Sequence, residues 1–218
     1  MTAGIDHPDR RGRTGLHLTG LGLDRKPDVV VREVELLASD WHVLRATTLD
    51  VRGPDGTWHA ERRETYDRGN GATILLHDVK RRTVLLTRQF RYPVYVNGHP
   101  DGMMLEAPAG LLDEDDPETA IRREAAEETG IEVGAVQHVF DIYMSPGSVT
   151  EKIHFYAAPY RGGDHDGTRH GVEEEGEDIE LVELDIDAAV AGIGTTIVDA
   201  KTIMLLQWAT LSGPFSRR

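Results

Sequence analysis

Glu124, Glu127 and Glu128 fall at i, i+3 and i+4 in the run Arg122-Arg-Glu-Ala-Ala-Glu-Glu-Thr-Gly130. On a helix that spacing turns all three carboxylates to one face. The segment holds no lysine, and Arg122 and Arg123 can pair with only part of the charge. Like charge concentrated on one turn costs stability, and a divalent cation relieves it. Hard carboxylate oxygens in this number suit Mg2+ or Mn2+. A glutamate-rich helix standing alone is more often a solvated face, so the flanking residues decide the matter.

The element that must carry these glutamates is bracketed on both sides. Asp116 can cap a helix N-terminus, Pro117 suits the first helical position, and Gly130 suits the position just past the end. The pattern predicts a helix over 117–129. Ahead of it, β-rich runs over 72–77 and 83–92 flank Asp78-Val-Lys-Arg81 as a hairpin, and 103–107 reads as a short strand leading to the Gly110 loop. Behind it, strands are expected over 135–143 and 150–160 around Ser145-Pro-Gly-Ser148, then a long loop over 161–178 and a last strand over 179–184. Helices are expected over 187–193 and 199–211. Nearer the N-terminus, runs over 29–37, 41–51 and 58–67 around the Gly53-Pro-Asp-Gly56 turn predict a small antiparallel sheet. It is too thin to stand alone. The order of strands and helices predicts an α/β/α sandwich with a mixed sheet.

The box and its surroundings resemble a known signature. Arg123-Glu-Ala-Ala-Glu-Glu-Thr-Gly-Ile131, preceded by Gly110, is similar to that of the Nudix hydrolases. In that family a loop–helix–loop holds Mg2+ against a nucleoside diphosphate linked to another group. The chain departs from the signature in three ways. The stretch from Gly110 to Arg123 is one residue short, Asp115 or Asp116 stands where the first glutamate belongs, and small Ala125 fills an aliphatic position. Pro146 matches a proline of the ADP-ribose pyrophosphatase branch. The segments Arg63–Leu76, Arg88-Gln-Phe-Arg91, Val96-Asn-Gly98, Ala109–Asp113, Tyr143–Gly147, Val149-Thr-Glu151, Gly171-Val-Glu and Glu177-Asp-Ile-Glu180 extend the similarity over about 29–212. The tail 1–28 and an insertion within 171–179 fall outside it.

The resemblance implies the same sandwich over 69–212 and a dimerising β-sheet over 29–68 that reaches across to a second subunit, while a Gly-, Arg- and Asp-rich composition with little periodicity makes 1–28 a flexible tail. It implies metal ligands Glu124, Glu128, Glu177 and the backbone carbonyl of Ala109, with Glu127 as a further candidate. Glu127, Glu151 and Glu175 are the implied catalytic carboxylates. Read alone, Glu173–Glu177 would be a solvated charge run. Arg63, Arg68, Arg88 and Arg91 would contact phosphate or form orienting salt bridges, since guanidinium forks suit phosphate oxygens. The plainer reading, exposed-strand solubility, is retained for Arg81 and Arg82. Tyr66 would stack on a base, or else be a half-buried strand tyrosine. The histidines, His77 and His154 among them, show no ligand spacing and are read as structural or surface residues.

The implied reaction is Mg2+-dependent hydrolysis of a nucleotide-sugar diphosphate, GDP-mannose to GMP and mannose 1-phosphate. The alternatives are ADP-ribose or another ADP-sugar giving AMP, and a non-catalytic nucleotide-sugar sensor on the same scaffold. Composition agrees with a small-molecule substrate. The chain has 218 residues and a net charge of −14, so nucleic acid and anionic membrane are poor partners. Cysteine is absent, which removes disulfides, thiolate zinc sites and cysteine nucleophiles together. No signal-peptide pattern or membrane-length apolar run is visible, and a cytoplasmic protein is expected. Lys26, Lys80, Lys152 and Lys201 are the only lysines, a scarcity read as compositional.

Overall fold

The computed structural model describes residues 26–39, 42–112, 115–161 and 178–216. The expected tail up to residue 25 and the run Glu173–Glu177 lie outside them. The chain divides into two compact units. The first gathers the described residues as far as Gly71 with the segments Leu111–Asp115 and Ile142–Ile153. The second holds Ala72–Gly110, Asp116–Asp141 and what is described from His154 onward.

The first unit is a three-stranded antiparallel meander of β1 (Val29–Ser39), β2 (Val43–Arg52) and β3 (Trp58–Asp67). Bulges in β1 between Val31 and Glu33 and between Leu36 and Ala38 interrupt its pairing with β2. Few of its side chains are buried: Val34, Val43 and Ala46, with Arg45 and Asp67 as an ion pair of 2.7 Å. A second segment is stitched to β3. Tyr66 N–H donates to the Ser148 carbonyl at 2.8 Å, and Thr150 N–H to the Tyr66 carbonyl at 3.1 Å.

The second unit is built on a seven-stranded sheet. Its main path runs β10 (Glu180–Asp185), β5 (Thr83–Phe90), β4 (Gly71–Asp78), β9 (Lys152–Pro159) and β8 (Gln137–Tyr143). Strand β6 (Met103–Glu106) pairs with β5, and β7 (Ala109–Leu111) with β4. Ile74, Leu75 and Leu76 are wholly buried, as are Val84, Leu85 and Leu86. Consecutive burial in a strand requires cover on both faces of the sheet. The helices are α1 (Tyr92–Val96), α2 (Pro117–Thr129), α3 (Ile186–Ala191) and α4 (Ala200–Leu211). The fold is the expected α/β one, a mixed sheet with helices beside a small antiparallel sheet.

Two local expectations need correction. The run over 83–92 ends as a strand at Phe90, and Tyr92–Val96 forms a short helix instead. Pro93 sits in its first turn, where its fixed φ favours a helix start and its missing N–H costs nothing. Ala109–Leu111, expected as loop, is strand β7 on the edge of β4.

Candidate active site

Helix α2 begins and ends as its sequence dictates. The Asp116 carboxylate accepts from the Glu118 and Thr119 N–H groups at 3.1 and 3.2 Å. The Thr119 hydroxyl, which also donates to it, and then those N–H groups hold its pKa below the ordinary aspartate value. Gly130 closes the helix with φ of 70°, and its N–H donates to the Ala126 carbonyl at 2.9 Å. Ala120, Ile121, Ala125, Glu128 and Thr129 form the buried face. Glu128 is the charged member of that list, a carboxylate only 3% exposed.

What surrounds Glu128 gives it a purpose. Its Oε2 accepts from the Ala109 N–H at 3.2 Å. One turn earlier, Glu124 lies over the next residue: a Cβ placed on Gly110 would meet the Glu124 carboxyl carbon at 2.0 Å. Two glutamates one turn apart therefore converge on the first two residues of β7. Glu127 does not join them. It is more exposed and bonded to Arg123 at 3.1 Å, and Arg123 also lies 3.0 Å from Glu124. The donors fit a hard divalent cation: two little-exposed carboxylates gathered at a stretch of backbone where Gly110 leaves room for Glu124. That agrees with the resemblance to Nudix hydrolases, which generally use divalent metal ions.

The four arginines singled out by sequence divide between the units, and each has a carboxylate partner. In the second unit Arg88 lies 3.3 Å from Glu180, and Arg91 lies 2.6 Å from Glu106. Buried Glu106 also takes Lys201 at 3.2 Å, and Lys201 reaches Asp199 at 2.7 Å. Asp199 caps α4 through the Thr202 N–H at 2.9 Å, and the Thr202 hydroxyl accepts from the Ala107 N–H at 2.7 Å. This network ties the end of β6 to α4. Burial alone would lower the Lys201 pKa, but Glu106 and Asp199 reverse that and raise it. Burial likewise pushes Asp199 up, and Lys201 with the capping bonds pulls it below the ordinary value.

Sequence reading gave Lys201 no role of its own, and the structure supplies one. A signal was present. A lysine in the first turn opposes the helix dipole, so it implies a nearby anion.

In the first unit Arg63 pairs with Glu61 at 2.5 Å and borders an open groove of about 710 Å³. Tyr143, Pro146 and Ser148–Thr150 line the same groove. Tyr66 is 40% exposed and meets His42 edge-on, with centroids 5.0 Å apart. Arg68 lies 3.3 Å from the largely buried Glu151. Asp67 accepts from the Gly69 N–H at 3.3 Å and the Thr150 hydroxyl at 3.0 Å. The buried Arg45–Asp67 pair thus holds the chain on either side of Arg68 and Glu151. Nothing in the sequence marked Arg45, one of many strand arginines. Glu175 and Glu177 lie outside the described residues.

Two histidines gather at one aspartate. His138 Nε2 and His154 Nδ1 each lie 2.8 Å from Asp141 Oδ1. Residues 138 and 141 would take opposite faces of a strictly alternating strand, which is why their spacing gave no signal.

Two family models match the chain. The GDP-mannose pyrophosphatase NudK N-terminal domain matches residues 28–66, and the NUDIX domain matches residues 67–196. A Yersinia enterocolitica protein named GDP-mannose pyrophosphatase is 54% identical over 82% of this chain and 93% of its own length. Proteins of the same name from Pectobacterium atrosepticum and Yersinia pestis are 50% and 51% identical, over 85% and 82% of this chain and 95% and 90% of theirs.

Proposed function

The chain belongs to the Nudix hydrolase family, and from that premise we propose that it hydrolyses the diphosphate of GDP-mannose to GMP and mannose 1-phosphate, using Mg2+. The observation that carries the substrate is identity of 50% or more, over nearly the whole of proteins that bear GDP-mannose pyrophosphatase as their name. The N-terminal match supports it as well, because that family model carries the same name.

Glu124 and Glu128 would hold the cation, with the Ala109 carbonyl as a further donor; Glu177 is the ligand proposed outside the described residues. When bound, the cation neutralises diphosphate oxygens and makes a coordinated water more acidic. The protein's own part is positioning. Gly110 leaves room for the Glu124 carboxylate, and the Ala109 N–H fixes Glu128 in its rotamer. Arg123 holds Glu124 and Glu127 from the solvent side. Arg63, Arg68, Arg88 and Arg91 are the proposed phosphate-facing cations, and Tyr66 the stacking surface for the base. In the reaction, water oxygen bonds to one phosphorus as the bridging P–O bond breaks. The released phosphate oxygen takes the electron pair, and a carboxylate accepts the water proton. Glu127, Glu151 and Glu175 are the carboxylates proposed for that transfer.

We read the protein as a cytoplasmic homodimer in which the sheet bearing Arg63 completes the partner's site. The small number of buried side chains in β1–β3 supports this, since such a sheet gains stability from a second surface. No helix among the described residues is long and apolar enough to cross a membrane.

The test is turnover of GDP-mannose and ADP-ribose side by side with Mg2+, with products resolved by chromatography. Higher kcat/KM for GDP-mannose, with GMP as product, is expected. Preference for ADP-ribose would overturn the substrate assignment, and binding of either without turnover would point to a sensor.

A further inference from the structure

We propose that His138, Asp141 and His154 form a second cation site, for one divalent transition ion of the zinc type, which clamps strand β8 to β9. Strand β8 ends the main path of the sheet, and β9 is its neighbour. His138 and Asp141 stand on β8 and His154 on β9. The clamp would therefore be a cross-strand link at a sheet edge.

The geometry is that of a single ion's ligand set. One nitrogen from each ring and one carboxylate oxygen lie within 4.8 Å of one another. Both nitrogens already stand 2.8 Å from the same oxygen. A zinc-type ion has bonds of about 2.0–2.2 Å to such donors, so small side-chain rotations admit it. Two imidazoles and a carboxylate also select against Mg2+, which prefers all-oxygen octahedral shells, and towards zinc, nickel or cobalt.

Burial is graded in a useful way. The His154 side chain is 13% exposed, against 40% for Asp141 and 51% for His138. The inner ligand is held by the sheet, while the outer two leave an open side for entry and for water as a fourth ligand. Tyr156 meets the His138 ring edge-on at 5.4 Å and limits its freedom. The plainer account is a carboxylate accepting hydrogen bonds from two histidines, and the experiment separates the two. None of these residues takes part in the proposed hydrolysis, so the inference stands independently of it.

The full-length protein is stripped of metal and titrated with Co2+, followed by visible absorption, and with Zn2+, followed by calorimetry and melting temperature. Glu128→Gln serves as the parent, so that the glutamate site contributes little. The chain has ten histidines, so the readout is the difference between the parent and the variants His138→Ala and Asp141→Asn. Both variants change exposed residues and are expected to fold. The parent should bind one more equivalent of Zn2+ than either variant, and its melting temperature should rise with the ion. The variants should lose about tenfold or more in affinity and show no such rise. Equal Zn2+ binding and equal melting shifts in parent and variants would overturn the site and leave the hydrogen-bonded clasp as the account.

Discussion

Glu124 occupies the space that a side chain on residue 110 would need: a Cβ on Gly110 would meet the Glu124 carboxyl carbon at 2.0 Å. Glycine is required there for closeness, and the carboxylate is the group that uses the room. Gly110→Ala must therefore push Glu124 away. We expect a fall of about 10- to 100-fold in turnover, with part of the loss recovered at high Mg2+ and little change in circular dichroism. Full activity would separate Glu124 from the metal.

Arg45 and Asp67 are buried together at 2.7 Å, with side chains 2% and 1% exposed. Removing one partner leaves the other charge buried without its ion pair. Arg45→Met is expected to cost about 3–5 kcal/mol of stability, measured by urea unfolding. The double change Arg45→Met with Asp67→Leu should cost less, since both charges are then gone. A double cost equal to the sum of the Arg45→Met and Asp67→Leu costs would show that the charges do not interact.

The Asp199–Lys201 pair predicts a pH signature. The Asp199 pKa is lowered in the fold from 3.8, so its contribution to stability is present above that value and is lost as pH falls through the lower folded one. The Lys201 pKa is raised from 10.5, so its contribution is complete below that value and is lost as pH rises through the higher folded one. Asp199→Asn, which keeps a capping side chain, should be less stable than wild type at pH 7, with the gap closing in acid. Lys201→Met should show a gap that closes at strongly alkaline pH. Gaps independent of pH would show that packing, not charge, carries the effect.

If Arg63 completes the partner's site, two inactive variants should rescue each other. Mixing Arg63→Ala with Glu128→Gln, under conditions that exchange subunits, gives heterodimers with one intact site and one doubly defective site. About a quarter of wild-type activity is then expected, from half the dimers with one working site each. No recovery despite demonstrated exchange would place Arg63 in its own subunit's site.

Legibility followed how local the determinants were. Helix α2 was readable at both ends because Asp116, Pro117 and Gly130 act on their own neighbours, and the convergence of Glu124 with Glu128 follows from one turn of helix. The buried runs of β4 and β5 were readable from composition. Lys201 was missed because its partner Glu106 is remote in sequence. The His138–Asp141–His154 group was missed because it joins two strands and departs from strand alternation. Arg45 was missed because burial of one strand arginine among many depends on what packs over it.

If Glu124 and Glu128 together hold the catalytic cation, metal affinity must depend on both. Equilibrium binding of Mn2+, followed by electron paramagnetic resonance, tests it most directly in wild type, Glu124→Gln and Glu128→Gln. Each variant should lose about tenfold or more in Mn2+ affinity while remaining folded. Unchanged Mn2+ affinity in both variants would contradict it.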